Sequence, residues 1–221
     1  MTAINEKEVE MVRSVIIALL LTVLLPLSGC VGIKGTAVTF DYYSLEYEAP
    51  DAEGASTSNA LPVILRLQRF GASPEYGTDR IVYRDSSNKR SVYFYHKWRA
   101  MPADLVTFFL KRDLSASGRF AGVLPPEHGS GHTHILDGVV EEFLEWDTPS
   151  SCEAVITVNI VLLNPNETDA TKRVLLQKRF TAREECEKRQ PSSVAMAMSR
   201  AMARLSSDIG ESLQATLQNA L

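Results

Sequence analysis

The chain has 221 residues, with 23 basic and 27 acidic side chains and a formal net charge of −4. This length fits one ordinary domain, and a composition with 45% hydrophobic residues can form a buried core. The mild acidity argues against a nucleic-acid-binding protein, which would carry a basic surface. Three cysteines without C-x-x-C spacing are too few for a disulfide scaffold and do not indicate a structural zinc site.

An apolar run without charges occupies residues 15–27 (VIIALLLTVLLPL). It is shorter than the roughly 20 residues that a membrane-spanning helix needs. With Arg13 before it, the run fits the apolar core of a secretory signal peptide. Residues 1–10 are acidic, unlike the start of such a signal, so we expect translation to begin at Met11.

The apolar run ends in a motif of small residues and a cysteine: Leu27, Ser28, Gly29 and Cys30. This motif resembles a bacterial lipobox, in which the leader is cleaved before the cysteine and the sulfur receives a diacylglyceryl group. We therefore predict a signal peptide over residues 1–29 and lipidation of Cys30, with a short tether over residues 30–39. The alternative is an ordinary signal peptide followed by an incidental cysteine.

Alternating apolar and β-branched residues predict strands in the first half of the mature chain. In chain order, the predicted strands cover residues 36–47, 61–70, 81–84 and 91–95, the last two as a hairpin. Val38, Phe40 and Tyr42 would share one face of the first strand. Pro102 then begins a predicted helix that ends at Gly118. On or near its apolar stripe would lie Leu105, Phe108, Phe109 and Arg112. A short strand is predicted over residues 120–124.

The segment at residues 135–146 (ILDGVVEEFLEW) is ambiguous. Its apolar residues stand at 135, 136, 139, 140, 143 and 144, a spacing that favours a helix. Gly138 and the two adjacent valines favour a strand instead. The pattern taken alone predicts a helix.

The last third of the chain predicts a hairpin and a long helix. Residues 154–163 and 173–183 are predicted strands joined by a polar turn over residues 164–172. Residues 191–221 form an amphipathic helix that would lie on a sheet. Its apolar stripe contains Val194, Met198, Met202, Leu205, Ile209, Leu213 and Leu217. An alternative interpretation of these methionines is an adaptable binding groove.

Two cysteines flank the predicted hairpin and test its register. If the turn centres on Asp169, Cys152 lies directly opposite Cys186. The same register pairs Val158 with Phe180, Leu162 with Leu176, and Ile160 with Lys178. Opposed cysteines on neighbouring antiparallel strands can reach bonding distance, and an oxidising compartment permits the bond. We predict a Cys152–Cys186 disulfide, and the alternative is two buried free thiols.

Side chains capable of chemistry form no convincing site, so we expect no catalytic residue, metal or cofactor. His132 and His134 would share a face of an extended segment, but with His128 they read as histidines of a solvated loop. Ser130 lies between glycines without the strand-to-helix turn that a nucleophile of this type requires. Four acidic side chains look like one solvated rim rather than a catalytic pair: Glu141, Glu142, Glu145 and Asp147.

The order of several short motifs resembles the ABC-type transport auxiliary lipoprotein family. After the lipobox, these motifs are residues 42–45 (YYSL), 81–84 (IVYR), 93–99 (YFYHKWR) and 136–139 (LDGV), with Pro102 and Phe143. The resemblance covers roughly residues 40–218 of a domain placed at residues 40–221. It implies an α+β fold with a single mixed, mostly antiparallel sheet and two main helices on one face, similar to the N-terminal domain of TolB. It also implies that residues 135–146 form a strand.

The resemblance further implies a non-catalytic lipoprotein that faces the periplasm from the outer membrane. Its partner would be the periplasm-spanning MCE-type subunit of an ABC-driven lipid transport system. Exposed parts of Tyr93, Tyr95 and Trp98 are our candidates for the partner-binding surface, because aromatic residues dominate interface energetics. These side chains could equally fill the core. The alternative function is a TolB-like lipoprotein that regulates a cell-wall synthase or another envelope assembly machine.

Overall fold

The computed structural model describes residues 6–24, 38–50 and 60–220 of the chain. The chain divides into two compact units, Met1–Val38 and Thr39–Leu221. The described residues of the first unit include the helix α1 (Glu6–Leu24). Within the described ranges, no helix combines the length and the apolar character needed to span a membrane.

The second unit is an α+β body, as predicted. The described residues form nine strands and two α-helices in it, with short 3-10 helices at Pro74–Tyr76 and Ala170–Lys172. The elements are β1 (Asp41–Tyr43), β2 (Leu61–Leu67), β3 (Gly71–Ala72), β4 (Arg80–Arg84), β5 (Arg90–Trp98), α2 (Pro102–Ala116), β6 (Phe120–Leu124), β7 (His134–Asp147), β8 (Cys152–Leu163), β9 (Val174–Glu185) and α3 (Pro191–Ala220).

Strand β7 joins all parts of the single sheet. Along one side it pairs in parallel with β2 and β3 and then, further along, with β4. Along its other side it pairs with β8 in an antiparallel ladder, and β9 continues that ladder. The pairs β2–β6 and β1–β5 are parallel, and β4–β5 is an antiparallel hairpin. The longest ladders are therefore antiparallel within a mixed sheet.

The two helices cover the sheet and contact each other, and their termini follow the sequence signals. Pro102 occupies the first turn of α2, where its missing N–H is not needed. Gly118 has a φ of 63° just after that helix, a conformation that glycine adopts without strain. The predicted apolar stripe of α3 is fully buried, from Val194 to Leu217, so its methionines Met198 and Met202 belong to the core. The interpretation of these residues as an adaptable groove is therefore wrong.

Three expectations differ from the observed elements. Residues 135–146 lie in β7, so the helix predicted from their spacing is wrong and the strand implied by the family resemblance is correct. Phe108 does not belong to the buried stripe of α2, because it is 63% exposed. Of the strand predicted at residues 36–47, the described residues form strand only at Asp41–Tyr43, and Val38, Phe40 and Tyr42 are exposed.

Candidate functional site

The predicted anchor lies outside the described residues. Leu27, Ser28, Gly29 and Cys30 fall between α1 and Val38, where the structure describes nothing. The signal peptide over residues 1–29 and the lipidation of Cys30 therefore stay predictions based on the sequence.

Trp98, one of the three candidate interface residues, belongs to the core. The side chain is 1% exposed and its ring meets Phe143 edge-on, with centroids 5.2 Å apart. Trp98 ends β5 and pairs with Tyr43 of β1. A partner could not reach this ring without unfolding the sheet edge, so Trp98 is removed from the candidate surface.

Tyr93 is half-buried and forms a hydrogen bond with a buried carboxylate. Its hydroxyl donates a hydrogen bond to Oε2 of Glu145 at 2.9 Å, and its ring packs against Tyr83 at 5.0 Å. Burial raises the pKa of the Tyr93 hydroxyl, and the neighbouring Glu145 adds to this effect. The position of Tyr93 is thus explained by packing and hydrogen bonding within the fold.

Tyr95 is exposed, and it belongs to a larger group of exposed aromatic residues. We call this group the aromatic edge; it consists of Phe40, Tyr42, Phe94 and Tyr95, with exposed fractions of 37%, 52%, 59% and 49%. The rings of Phe94 and Tyr95 meet edge-on at 4.8 Å, and Phe40 lies 6.2 Å from Tyr95. Sequence reasoning included only Tyr95, because it placed Phe40 and Tyr42 on the face of an ordinary strand.

A β-bulge displays the aromatic edge. Along the β4–β5 hairpin, Val82 pairs with Val92, but Arg80 pairs with Lys97, so β5 carries extra residues between these pairs. Phe94 and Tyr95 lie in this irregular stretch, and both are exposed although they are consecutive. In a regular strand, consecutive side chains point to opposite faces. Bulges near sheet edges commonly redirect side chains in this way.

The two predicted disulfide partners are neighbours in the sheet. The N–H of Cys186 donates to the carbonyl of Cys152 at 2.8 Å, and the β8–β9 register continues the predicted pairing, including Val158 with Phe180. Both residues are buried and are free thiols in the structure. The sulfur of Cys152 donates to Oε1 of Glu145 at 3.4 Å. The hairpin register is as predicted, whereas the bond between the sulfurs stays a prediction.

Glu145 differs from the other acidic residues of its segment, so the prediction of one solvated rim is wrong. Its side chain is 1% exposed, and burial raises the pKa of its carboxyl above the usual value, against the effect of hydrogen bonds from Tyr93 and Cys152. The other three carboxylates lie closer to solvent, and each has an arginine partner: Glu141 with Arg179 at 2.6 Å, Glu142 with Arg179 at 3.8 Å, and Asp147 with Arg189 at 3.3 Å.

The three histidines around the start of β7 differ in burial, and the prediction of a solvated loop is wrong for His134, which is the first residue of β7. His134 is buried, its Nδ1 lies 2.9 Å from the Thr133 hydroxyl, and burial lowers its pKa. His128 and Ser130 are exposed, whereas His132 is partly buried. Among the described residues, no three His, Cys, Asp or Glu side chains are grouped as metal ligands would be.

A small cavity of about 150 Å³ lies between α2 and α3. The Tyr47 hydroxyl donates to Oδ2 of the buried Asp113 at 2.6 Å in its wall, and Arg112 pairs with the same carboxylate at 2.7 Å. This volume is below the ~300–1,000 Å³ of ordinary small-molecule sites. The ion pair lies within α2, and the hydrogen bonds that Tyr47 makes with Asp113 and Arg112 join the segment after β1 to this helix.

The comparison with known families gives these features a context. The model of the ABC-type transport auxiliary lipoprotein component family matches residues 43–210, which include β5 with Phe94 and Tyr95, α2, the β7–β8–β9 ladder and most of α3. The chain belongs to this family. The match confirms the resemblance noted from the short motifs, and it identifies the body as an auxiliary lipoprotein component of ABC-type transport.

Solved structures of similar fold support the architecture. A protein of family DUF330 from Xanthomonas campestris superposes with a TM-score of 0.69 at 19% identity, over 81% of this chain and 97% of that chain. An uncharacterized protein superposes with a TM-score of 0.60 at 14% identity, over 79% of this chain and 99% of its own. No curated protein matches the sequence. The likeness to the N-terminal domain of TolB stays a prediction.

Proposed function

We propose that this chain is a non-catalytic periplasmic adaptor of an ABC-driven, MCE-type lipid transport system, anchored to the outer membrane through acylated Cys30. The observation that carries the proposal is the family match over residues 43–210, which follows a lipobox-like motif at residues 27–30. Glu145 and Tyr93, two titratable groups of the body, are hydrogen-bonded to each other, which supports a structural role for this pair.

The mechanism is tethering. A single acyl chain gives only marginal membrane binding, at about 0.8 kcal/mol per buried methylene group. A lipoprotein cysteine carries two or three such chains, so attachment would be permanent. The residues between Cys30 and Thr39 would then hold the body near the bilayer while it docks on the periplasm-spanning MCE-type subunit. Val31 supports the outer membrane, because an aspartate at this position retains lipoproteins in the inner membrane under the enteric sorting scheme.

Metabolic labelling with palmitate tests the anchor. The wild-type chain should incorporate label, and Cys30→Ala should abolish it. Val31→Ala is the matched control, because it changes the adjacent residue and leaves the lipobox intact. Val31→Asp should keep the label and move the protein from outer-membrane to inner-membrane fractions in an enteric host. An unlabelled wild-type protein would contradict the anchor, and identical fractionation of the Asp and Ala variants would contradict the sorting.

Co-isolation after cross-linking in cells tests the partner. We expect mass spectrometry to identify an MCE-type subunit and its ATPase with the wild-type chain. Capture of a cell-wall synthase without any transporter component would overturn the proposal and support the TolB-like alternative.

A further inference from the structure

The aromatic edge exposes more apolar surface than the fold requires. Phe40, Tyr42, Phe94 and Tyr95 are all more than a third exposed, and three of these rings contact one another in a continuous cluster. Single exposed apolar side chains are ordinary, but contiguous exposed patches mark interaction sites. The bulge in β5 creates the patch, since it exposes two consecutive rings.

Cationic side chains lie directly against these rings. The guanidinium of Arg80 stands 5.5 Å from the Phe94 centroid, and Nζ of Lys97 stands 5.2 Å from the Phe40 centroid. Lys97 is also paired with Asp79 at 2.9 Å, and Asp41 lies 3.3 Å from His96. Arg80 forms no ion pair with a carboxylate in the part of the chain that the structure describes. It is therefore available to a phosphate group.

The position of the patch in the chain limits what it can reach. Phe40 stands ten residues after Cys30, and a fully extended segment of that length spans at most ~33–36 Å. Phe40 and Tyr42 stand at the point where the tether enters the body, and β1 holds them beside β5. Phe40 and Tyr42 are therefore among the described residues of the body that stand nearest to Cys30 along the chain.

We propose that the aromatic edge rests on the lipid bilayer, with its rings at the level of the headgroups and Arg80 near the lipid phosphates. This inference rests on the proposed acylation of Cys30. Tyrosine concentrates at the membrane–water interface because its ring is apolar and its hydroxyl is polar, which suits Tyr42 and Tyr95. The apolar rings of Phe40 and Phe94 can be buried at the boundary between headgroups and acyl chains. Basic side chains beside them gain from the negative surface potential of anionic lipids. The contact orients the folded body relative to the membrane, and this orientation determines which face the body presents to the transporter.

Quenching of tryptophan fluorescence by brominated lipid tests the contact. The full processed chain is reconstituted into vesicles of phosphatidylcholine and phosphatidylglycerol, with or without bromine on the acyl chains. Tyr95→Trp and Phe94→Trp place a probe in the aromatic edge, and Phe108→Trp is the matched control on α2, where the native ring is exposed as well. The signal of the native Trp98 and Trp146 is subtracted with the wild-type chain. We expect quenching in the aromatic edge to be about threefold stronger than at position 108.

Vesicle flotation, measured first, separates the two possible failures. Chains that do not float with the vesicles would overturn the anchor and this inference together. Chains that float but show equal quenching at all three positions would overturn the inference alone. If quenching by lipid is equal at all three positions, a second quencher, aqueous iodide, is applied to the Tyr95→Trp variant. Protection of this probe from iodide only after the transporter subunit is added would assign the patch to a protein partner. Unchanged urea midpoints of the three variants show that each probe reports on the folded body.

Discussion

Glu145 makes folding sensitive to pH, because a carboxyl group with almost no solvent contact is expensive to ionise. Burial raises the pKa of its carboxyl above the usual value of about 4.5. Above that usual value the unfolded chain loses its proton first, so the folded state binds more protons and the free energy of unfolding decreases as pH rises. The contribution is fully present below pH 4.5 and disappears as the pH passes through the raised pKa.

We predict that Glu145→Gln removes this dependence, because glutamine keeps an acceptor for Tyr93 and does not titrate. The measurement is urea unfolding of both proteins between pH 4 and 8. Relative to the variant, the wild type should lose stability as pH increases. A difference between the two proteins that stays constant across this range would contradict the assignment.

Gly138 is required by close packing inside β7. A Cβ at this position would stand 2.6 Å from Cε2 of Phe70, closer than real contacts allow, and a tight 3.0 Å from the carbonyl oxygen of Asn159. We predict that Gly138→Ala lowers the free energy of unfolding by about 1–3 kcal/mol, the usual cost of overpacking. Gly122→Ala in β6 is the control, since its Cβ would meet nothing closer than 3.7 Å. Equal urea midpoints for the two variants would refute the packing argument.

At the scale of elements, β7 shows how a strand can contain apolar residues that are spaced as in a helix. Leu136, Val140 and Phe143 face the same side, because their partners on β8 are Leu162, Val158 and Ile156. They would not do so in a regular strand; a register shift between Val140 and Glu142 changes the parity. Leu144 is buried on the opposite face. The bulge and the burial of both strand faces depend on tertiary contacts, so the spacing of apolar residues could not predict them. The family resemblance correctly implied a strand.

Helix α3 offers two methionines in contrasting surroundings. Met198 is completely buried and Met196 is 48% exposed, although they stand two residues apart. We predict that Met198→Ala costs about 2–5 kcal/mol of stability because it leaves a cavity in the core. Met196→Ala should change stability by less than about 0.5 kcal/mol. Urea unfolding of both variants measures this, and similar losses would mean that α3 is not seated on the sheet as described.

The hairpin of β8 and β9 places its two cysteines for oxidation. Directly opposed residues that share a backbone hydrogen bond have Cα atoms about 5.5 Å apart, within the range of disulfides. We predict that the protein from the periplasm has no titratable thiol at Cys152 or Cys186 under denaturing conditions. Reduction should lower its stability by about 3 kcal/mol.

The double variant Cys152→Ala with Cys186→Ala is the control for this experiment, because a reductant should not change its stability. Two reactive thiols in the denatured wild-type protein would contradict the bond. Burial raises the pKa of both thiols in the fold, so the thiolate needed for exchange is scarce once the chain has folded. We therefore expect the bond to form before folding is complete.

At the scale of the whole molecule, the order of elements and most of the core were readable from the sequence, but the binding surface was not. The stripe of α3 is buried as the pattern predicts, because one helix face against a sheet is a local property of the sequence. Trp98 and Tyr95 look alike in sequence, yet one is buried and the other exposed. What separates them is the bulge in β5 and the cover that β1 provides, and both depend on distant parts of the chain.

We expect the folded body to be stable without the proposed anchor. The buried hydrophobic residues run from Leu45 to Leu217 among the described residues, all within the second unit. We predict that the wild-type chain and Cys30→Ala, both purified in detergent, unfold with free energies that agree within about 0.5 kcal/mol. A larger difference in urea titrations would show that the acylated segment contributes to the packing of the body.

The branching of the sheet at β7 has a consequence for export. Strands β2, β3 and β4 can pair with β7 only after β7 has been synthesised. Leu65 of β2, for example, pairs with His134, which is made much later. Contacts between such distant segments form slowly because closing the intervening chain costs entropy. If the predicted signal peptide directs export, the nascent polypeptide would lack its organising strand while the leader engages the secretion machinery. We expect it to remain threadable, and to fold only after β7 has crossed the inner membrane.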